Sequence, residues 1–234
     1  MGFKTACIMT GDCPPHYFGT LPEHNPERAD QVLSSLGYEK CFSRESSELE
    51  IYPDEGKLFI GAFDKALYIA DQDIIYECFD DRSKPYFQNA LKMYPEGKLL
   101  MVVLHSVVNL FGYAYYEKGE LLREYSGSGD YGMLSEIGEL QPEEKPAFDR
   151  SEIRDGERVF FDEVNGKLEE FDLSCYGESL AFMMMTKFFD CEWDRSVEGK
   201  TDPFDLKGEL MCKSPPQKKP PGKKGLLGFL KPFS

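Results

Sequence analysis

Histidine occurs only three times in the 234 residues, and tryptophan once. So few imidazoles leave little room for His-based triads or His-rich metal sites, and no complete set of either kind can be assembled by spacing. There is no Cys-x-x-Cys pair. The seven cysteines (7, 13, 41, 78, 175, 191 and 212) are scattered and odd in number, which argues against a disulfide framework and for a reducing compartment. No apolar run approaches a membrane span: LLMVVL at 99–104 is as long as any, whereas about 20 residues are needed. The Gly-x-Ser-x-Gly turn that exposes a nucleophilic serine is missing. The start, MGFKTACIMTGDC, has too short an apolar run for a signal peptide, and Ala6 stands where a myristoylation signal carries Ser or Thr. These absences predict a cytoplasmic protein.

Positive charge is scarce too, except at one end. The chain has 27 basic and 42 acidic residues, a net charge of −15. Residues 213–234, KSPPQKKPPGKKGLLGFLKPFS, hold six lysines, five prolines and no acid, which leaves 21 basic against 42 acidic residues in 1–212. A body at −21 repels nucleic acid and anionic membrane and suits a basic protein partner. The tail alone could approach an anionic surface, through Lys218, Lys219, Lys223 and Lys224. Its Pro- and Lys-rich first half reads as extended and semi-rigid. Beyond it, Leu226, Leu230 and Phe233 stand at i, i+4, i+7 with Leu227 and Phe229 beside them. That spacing makes two turns of amphipathic helix, weakened by Gly225, Gly228 and Pro232.

What is present in quantity is core material: 41% hydrophobic and 14% aromatic residues, enough for one large domain over 1–212 with a flexible C-terminal tail over 213–234. FKTACIMT (3–10) reads as a central strand. Asn25, Pro26 and Gly37 bracket a helix whose apolar face is Ala29, Val32, Leu33 and Leu36. KLFIGAF, KALYIA and the shorter IIYECF read as strands. Ser83 is placed to cap a second helix, KPYFQNALKMY, which is followed by the strand KLLMVVLHS. Lys118-Gly119 and Asn165-Gly166 each mark a hairpin. The stretch GSGDYGMLSEIGELQPEEKPAFDR between them reads as a loop. GESLAFMMMTKFFDC reads as a mostly buried helix and PFDLKGELMCK as a last strand. The expected fold is α+β or mixed α/β, a single compact domain with a central mixed sheet and about three packed helices.

Few residues offer chemistry. The loop after the first strand, GDCPPHYFGTLPEH, presents Asp12, Cys13, His16 and His24. A Cys-x-x-His pair with a second histidine has the donor types zinc prefers, and Cys13 could be a nucleophile with His16 as base. No second cysteine stands at ligand spacing, so a structural loop is the preferred reading. His105 and Ser106 end the second buried strand, but neighbouring residues on a strand face opposite sides and cannot form a dyad. SGSGDYG (126–132) lacks the lysine and helix start of a phosphate loop, and Asp130 in it reads as part of a solvated acidic turn. Asp12, Cys13, His16, His105 and Asp130 are carried forward as a candidate pocket. No metal set and no cofactor is implied.

The start MGFKTA, the segment LHSVVNLFGYAYYEKGELLREYSGS with the IGE after it, YGESLAF and PFDLKGELM together resemble a bacterial domain-of-unknown-function family. Its members open Met-Gly-x-Lys-Thr-Ala and carry His-Ser-x-Val before a hairpin, here YYEKGELLR from Tyr115 to Arg123. The resemblance implies a cytoplasmic bacterial protein with a compact mixed fold and no established activity. GDCPPH departs from the simpler Asp/Gly-rich turn of that pattern, so the resemblance assigns nothing to Cys13 or His16. The functional expectation is a noncatalytic binding module with a C-terminal docking tail, immunity-like towards a basic toxin in its most specific form. The alternatives are a peripheral membrane protein held by the tail, and a hydrolase using the loop after the first strand.

Overall fold

Residues 5–11 are buried without the alternation of a strand that has one wet face, so both sides of it must be covered. The computed structural model, which describes residues 2–38, 41–164, 166–193 and 198–213, shows by what. Strand β1 (Lys4–Gly11) lies at the middle of a nine-stranded sheet. β3 (Lys57–Ala62) and β4 (Ala66–Ala70) form a hairpin on one side of it, and β5 (Lys98–His105) pairs on the other. From β5 the sheet continues as a meander through β6 (Leu110–Glu117), β7 (Glu120–Ser128) and β8 (Gly132–Gly138) to one edge. At the other edge, β12 (Lys207–Lys213) inserts between β3 and β2 (Cys41–Glu48). The order is β2-β12-β3-β4-β1-β5-β6-β7-β8.

One face is covered by α1 (Pro26–Leu36), α2 (Gln72–Asp80) and α3 (Pro85–Met93), which pack on Ala6, Ile8, Leu99, Met101 and Val103. The opposite face, with Cys7, Met9, Leu100, Val102 and Leu104, is covered by α5 (Leu173–Met185) and α4 (Lys145–Asp149). A small sheet of β9 (Ser151–Arg154), β10 (Glu157–Val164) and β11 (Lys167–Asp172), in the order β11-β10-β9, lies on that side too. Alternate residues of β1 and β5 thus feed two cores, which is why both strands read as continuous apolar runs. Trp193 closes the second core among Tyr68, Phe182, Phe189 and Phe204. Among the described residues no helix is long and apolar enough to cross a membrane.

Several expectations change. The sheet is antiparallel in every pairing rather than mixed. The helices after β4 carry the chain over β1, so β4 and β5 flank it and both oppose its direction. Among the described residues there are five α-helices instead of about three. IIYECF belongs to α2 and is no strand: Asp71 accepts hydrogen bonds from the N–H groups of Asp73 and Ile74 and caps it, and six residues are too few to tell the two periods apart. The cap of α3 is Lys84; Ser83 donates its hydroxyl to Asp81 instead. The stretch 127–150 contains β8 and α4 where a loop was expected. The helix of residues 26–36 keeps its expected caps, Asn25 and a left-handed Gly37. The Lys118-Gly119 turn has both residues at positive φ, as a tight hairpin requires.

Candidate functional site

The five candidate residues fall into two groups at opposite ends of the sheet. Gly11 pairs with Lys98 and Lys4 with His105, so the loop after β1 is a strand's length from His105, about 24 Å at ~3.4 Å per residue. Asp12, Cys13 and His16 lie at the first end. His105 and Asp130 lie at the second, where the Gly129 N–H donates to the Val108 carbonyl at 3.4 Å.

At the first end the loop is tied down by its own polar groups. His16 Nδ1 is 2.7 Å from the Phe189 carbonyl, which can only accept, so that nitrogen carries the proton. His24 Nδ1 accepts the Ala62 N–H at 3.0 Å, which places its proton on Nε2, 3.2 Å from Glu209 Oε2. Phe18 is inserted among Phe63, Phe188 and Phe189, and Thr201 donates to the Gly19 carbonyl at 2.8 Å. His16 and Leu21 are both left-handed, at φ 62° and 47°, a conformation disfavoured for bulky side chains. Burial pushes the Cys13 thiol up, and Lys98 and Lys65 offset this only in part, the opposite of what an activated nucleophile needs. Beside the loop is an open depression of about 920 Å³ between Tyr17, His24, Arg28 and Asp64. Among the described residues no group of three or more His, Cys, Asp and Glu is placed to hold a metal ion.

The second end holds a cleft of about 870 Å³. One wall is the β7–β8 turn and β8 itself, with Asp130, Tyr131, Met133 and Glu136. The other is Ile153 on β9, Glu157 and Arg158 after the β9–β10 turn, and the start of α5. Among the described residues Arg158 is the one cation of the lining, and it faces inward: it donates to Ser151 Oγ at 2.8 Å and lies 4.9 Å over the Phe148 ring. Asp172 is occupied as the cap of α5. Asp130 and Glu157 form no ion pair among the described residues. Tyr131, Met133 and Ile153 are 47%, 39% and 60% exposed, so the acids alternate with uncovered apolar surface. His105 lies near this end, half-buried, with Nδ1 buried and without a hydrogen-bond partner among the described residues. Burial, with help from Lys4, pushes its pKa down.

The walls are held by a buried charge pair that sequence reasoning did not single out. Arg123, 1% exposed, donates from Nε to both oxygens of the wholly buried Glu144 at 3.0 and 3.2 Å. Tyr113 donates its hydroxyl to the same carboxylate, and the Gln141 N–H donates at 2.9 Å. Burial, and then the Glu144 charge, push the Tyr113 phenol well above its usual range, so it stays a donor. Arg123 also reaches the Gly138 carbonyl at 3.2 Å and Glu136 at 3.4 Å. The pair fastens the start of α4 under β7, and Phe148 of α4 wedges between Tyr125 and Phe160, joining the large sheet to the small one. Arg123 lies in the YYEKGELLR hairpin. Glu144, in QPEEKPAF, carries no signal that separates it from Glu143 beside it.

The tail candidates Lys218, Lys219, Lys223, Lys224, Leu226, Leu227, Phe229, Leu230 and Phe233 lie outside the described residues. Lys213, placed by its composition at the head of the tail, ends β12. It donates to the wholly buried Asp71 at 2.8 and 2.9 Å and to Asp73 at 2.8 Å.

Among curated proteins and among solved structures, none matches this chain significantly. A family model described as a family of unknown function, DUF6928, matches residues 3–153. Its match includes the β7–β8 wall of the cleft, the Arg123–Glu144 pair and, at its end, Ile153 of the opposite wall, but not Glu157, Arg158, α5 or β12. Covering well over half of the 234 residues, it places this protein in the DUF6928 family.

Proposed function

We propose that this protein is a noncatalytic binding module for a basic protein partner, and that the cleft between the β7–β8 hairpin and the small sheet receives it. The observation that carries the reading is the lining of that cleft: Asp130 and Glu157 without ionic partners among the described residues, Glu136 shared with Arg123, and exposed Tyr131, Met133 and Ile153 between them. A body of net charge −21 over residues 1–212 steers such a partner from a distance, and the apolar residues supply contact area on arrival. The raised Cys13 thiol and the histidines engaged by backbone groups favour binding over catalysis at the other end. Neutralising a basic toxin in the cytoplasm is the most specific form of this reading.

The test is the affinity of the full chain for a fluorescent twelve-residue peptide of alternating lysine and valine, at low and high salt. Wild type binds and salt weakens it, while Asp130→Lys with Glu157→Lys loses at least about tenfold, the scale of one or two charge pairs. Equal binding by both proteins, or none by either, removes the cleft from consideration. For the immunity form, full activity of a basic nuclease encoded beside this protein, in its presence at excess, is the refuting result.

The tail's composition supports a second reading, docking of its lysines and Leu/Phe residues on an anionic membrane surface, each lysine contributing about 1 kcal/mol. Co-sedimentation with phosphatidylserine vesicles tests it. The comparison chain ends at Lys213, since ending at Cys212 would also strand Asp71.

A further inference from the structure

Four strands end the two sheets, and three of them are guarded against pairing with another chain. β2 (CFSRESSE) is charged along its length; Arg44 is paired with Asp30, Glu48 with Lys207, and the β12 pairing is bulged at its end. β9 has four residues, with Arg154 bridging Glu152 and Glu170. β11 carries Lys167, Glu169 and Glu170. Short, charged and bulged edges are the usual protection.

β8 (GMLSEIG) is guarded less. Its single charge, Glu136, turns to Arg123 on the cleft side, and Met133 and Ile137 are 39% and 49% exposed. The outward backbone groups of Met133–Ile137 have no hydrogen-bond partner among the described residues. Its one protective device is a bulge at Leu134, set by the pairings Ser126–Ser135 and Gly127–Met133. Register then sorts the side chains. Ile137 lies opposite Glu124, on the α2 side where Arg82 pairs with that glutamate; Glu136 lies opposite Tyr125, and Met133 opposite Gly127, on the cleft side.

We infer that the open edge of β8 is the docking rail of the cleft, and that the partner is bound as an added antiparallel or parallel strand. This rests on the reading above that the cleft binds a basic partner. An extended segment alternating lysine or arginine with apolar residues satisfies both sides at once. Its cations lie over Asp130, Glu136 and Glu157, its apolar chains extend the surface of Ile137, and its backbone completes the β8 ladder. A second copy of this chain is disfavoured at the edge, because each copy carries a net −15 and brings Glu136 and Asp130 to its own β8. The protein's own tail is disfavoured by composition: prolines at 215, 216, 220, 221 and 232 and Gly225 and Gly228 leave no long run suited to a ladder.

The experiment uses the alternating lysine–valine peptide with the full chain, and two versions N-methylated on every lysine or on every valine. Antiparallel or parallel, an added strand turns only alternate N–H groups to β8. One methylated version therefore keeps its affinity, while the other loses about tenfold or more, the scale of two or three backbone hydrogen bonds. In hydrogen exchange, the amides of Met133–Ile137 slow on binding in the first case. If both methylated versions bind like the parent, the cleft takes its partner by charge alone: strand addition is overturned and the binding reading stands. If the parent peptide does not bind, both fall. If it binds only to a chain ending at Lys213, the tail is the occupant. If it binds only by splitting a dimer seen in sedimentation, a second copy is. Either result overturns the inference.

Discussion

Replacing Arg123 with methionine removes the one cation in contact with Glu144 among the described residues and keeps most of the volume. The carboxylate is wholly buried and, among the described residues, keeps two donors, the Tyr113 hydroxyl and the Gln141 N–H. Breaking a buried pair from one side costs about 3–5 kcal/mol, because the surviving charge is left in a medium that cannot solvate it. Arg123→Met is therefore expected near 4 kcal/mol, a drop of about 8–16 °C in Tm for a chain this long. The partner substitution is not symmetric. With Glu144→Gln, Arg123 retains Glu136 at 3.4 Å, the Gly138 carbonyl at 3.2 Å and the ring of Tyr125 at 4.9 Å, so about 2 kcal/mol is expected. Urea unfolding followed by the fluorescence of Trp193, the single and buried tryptophan, reads both. A cost below about 1 kcal/mol for Arg123→Met, or a larger cost for Glu144→Gln, would refute the reasoning. The first would mean that Glu144 finds solvent, the second that Arg123 depends on it alone.

Lys213→Met strands Asp71, for which about 3 kcal/mol is expected, the low end for a buried pair, since Tyr38 and two backbone N–H groups still donate to it. Burial raises the Asp71 pKa in spite of Lys213, while the less buried Lys213 is raised by Asp71 and Asp73 against its own burial. A carboxyl raised in the folded state takes up protons on folding, so stability falls as pH rises from about 4 through its folded pKa. The Lys213→Met deficit should thus be full at neutral pH and shrink towards pH 4 in urea titrations; a pH-independent deficit contradicts it. His105 has the opposite sense: its pKa is lowered on folding, so stability declines as pH falls below about 6.5. His105→Asn should flatten the slope between pH 7 and 5, and an unchanged slope assigns it to other groups. A chain ending at Ile153, where the family match stops, lacks α5 and β12 and leaves β2 without a strand neighbour. It should give no cooperative unfolding transition, whereas a chain ending at Lys213 should unfold like the whole; a sharp transition from the shorter chain would show that the family segment folds alone.

Some local roles were legible in the sequence, although Ser83 was misread as a cap and Asp71 was passed over as one. Asn25, Pro26 and Gly37 set the ends of α1 because caps are made by neighbours in the chain, and Lys118-Gly119 set its hairpin because two positive-φ residues suffice. The unbroken runs of β1 and β5 announced strands covered on both faces. The candidate pocket was not legible in the same way: Cys13 and His105 were grouped as residue types able to do chemistry, and antiparallel pairing of β1 with β5 puts them at opposite ends. α2 looked like a strand until Asp71 capped it, and β8 looked like a loop because its partner β7 and its bulge give it order that Gly132–Gly138 lack alone. Glu144 became the anchor of the cleft only when β7 brought Arg123 and β6 brought Tyr113 to it. Composition by itself fixed an acidic body, a basic tail and enough apolar residues for a core, since charge and burial potential are sums over the chain. Among the described residues, which edge stays open and which acids lack ionic partners were decided by long-range pairing, because a strand's outer face and a carboxylate's neighbours come from segments distant in sequence.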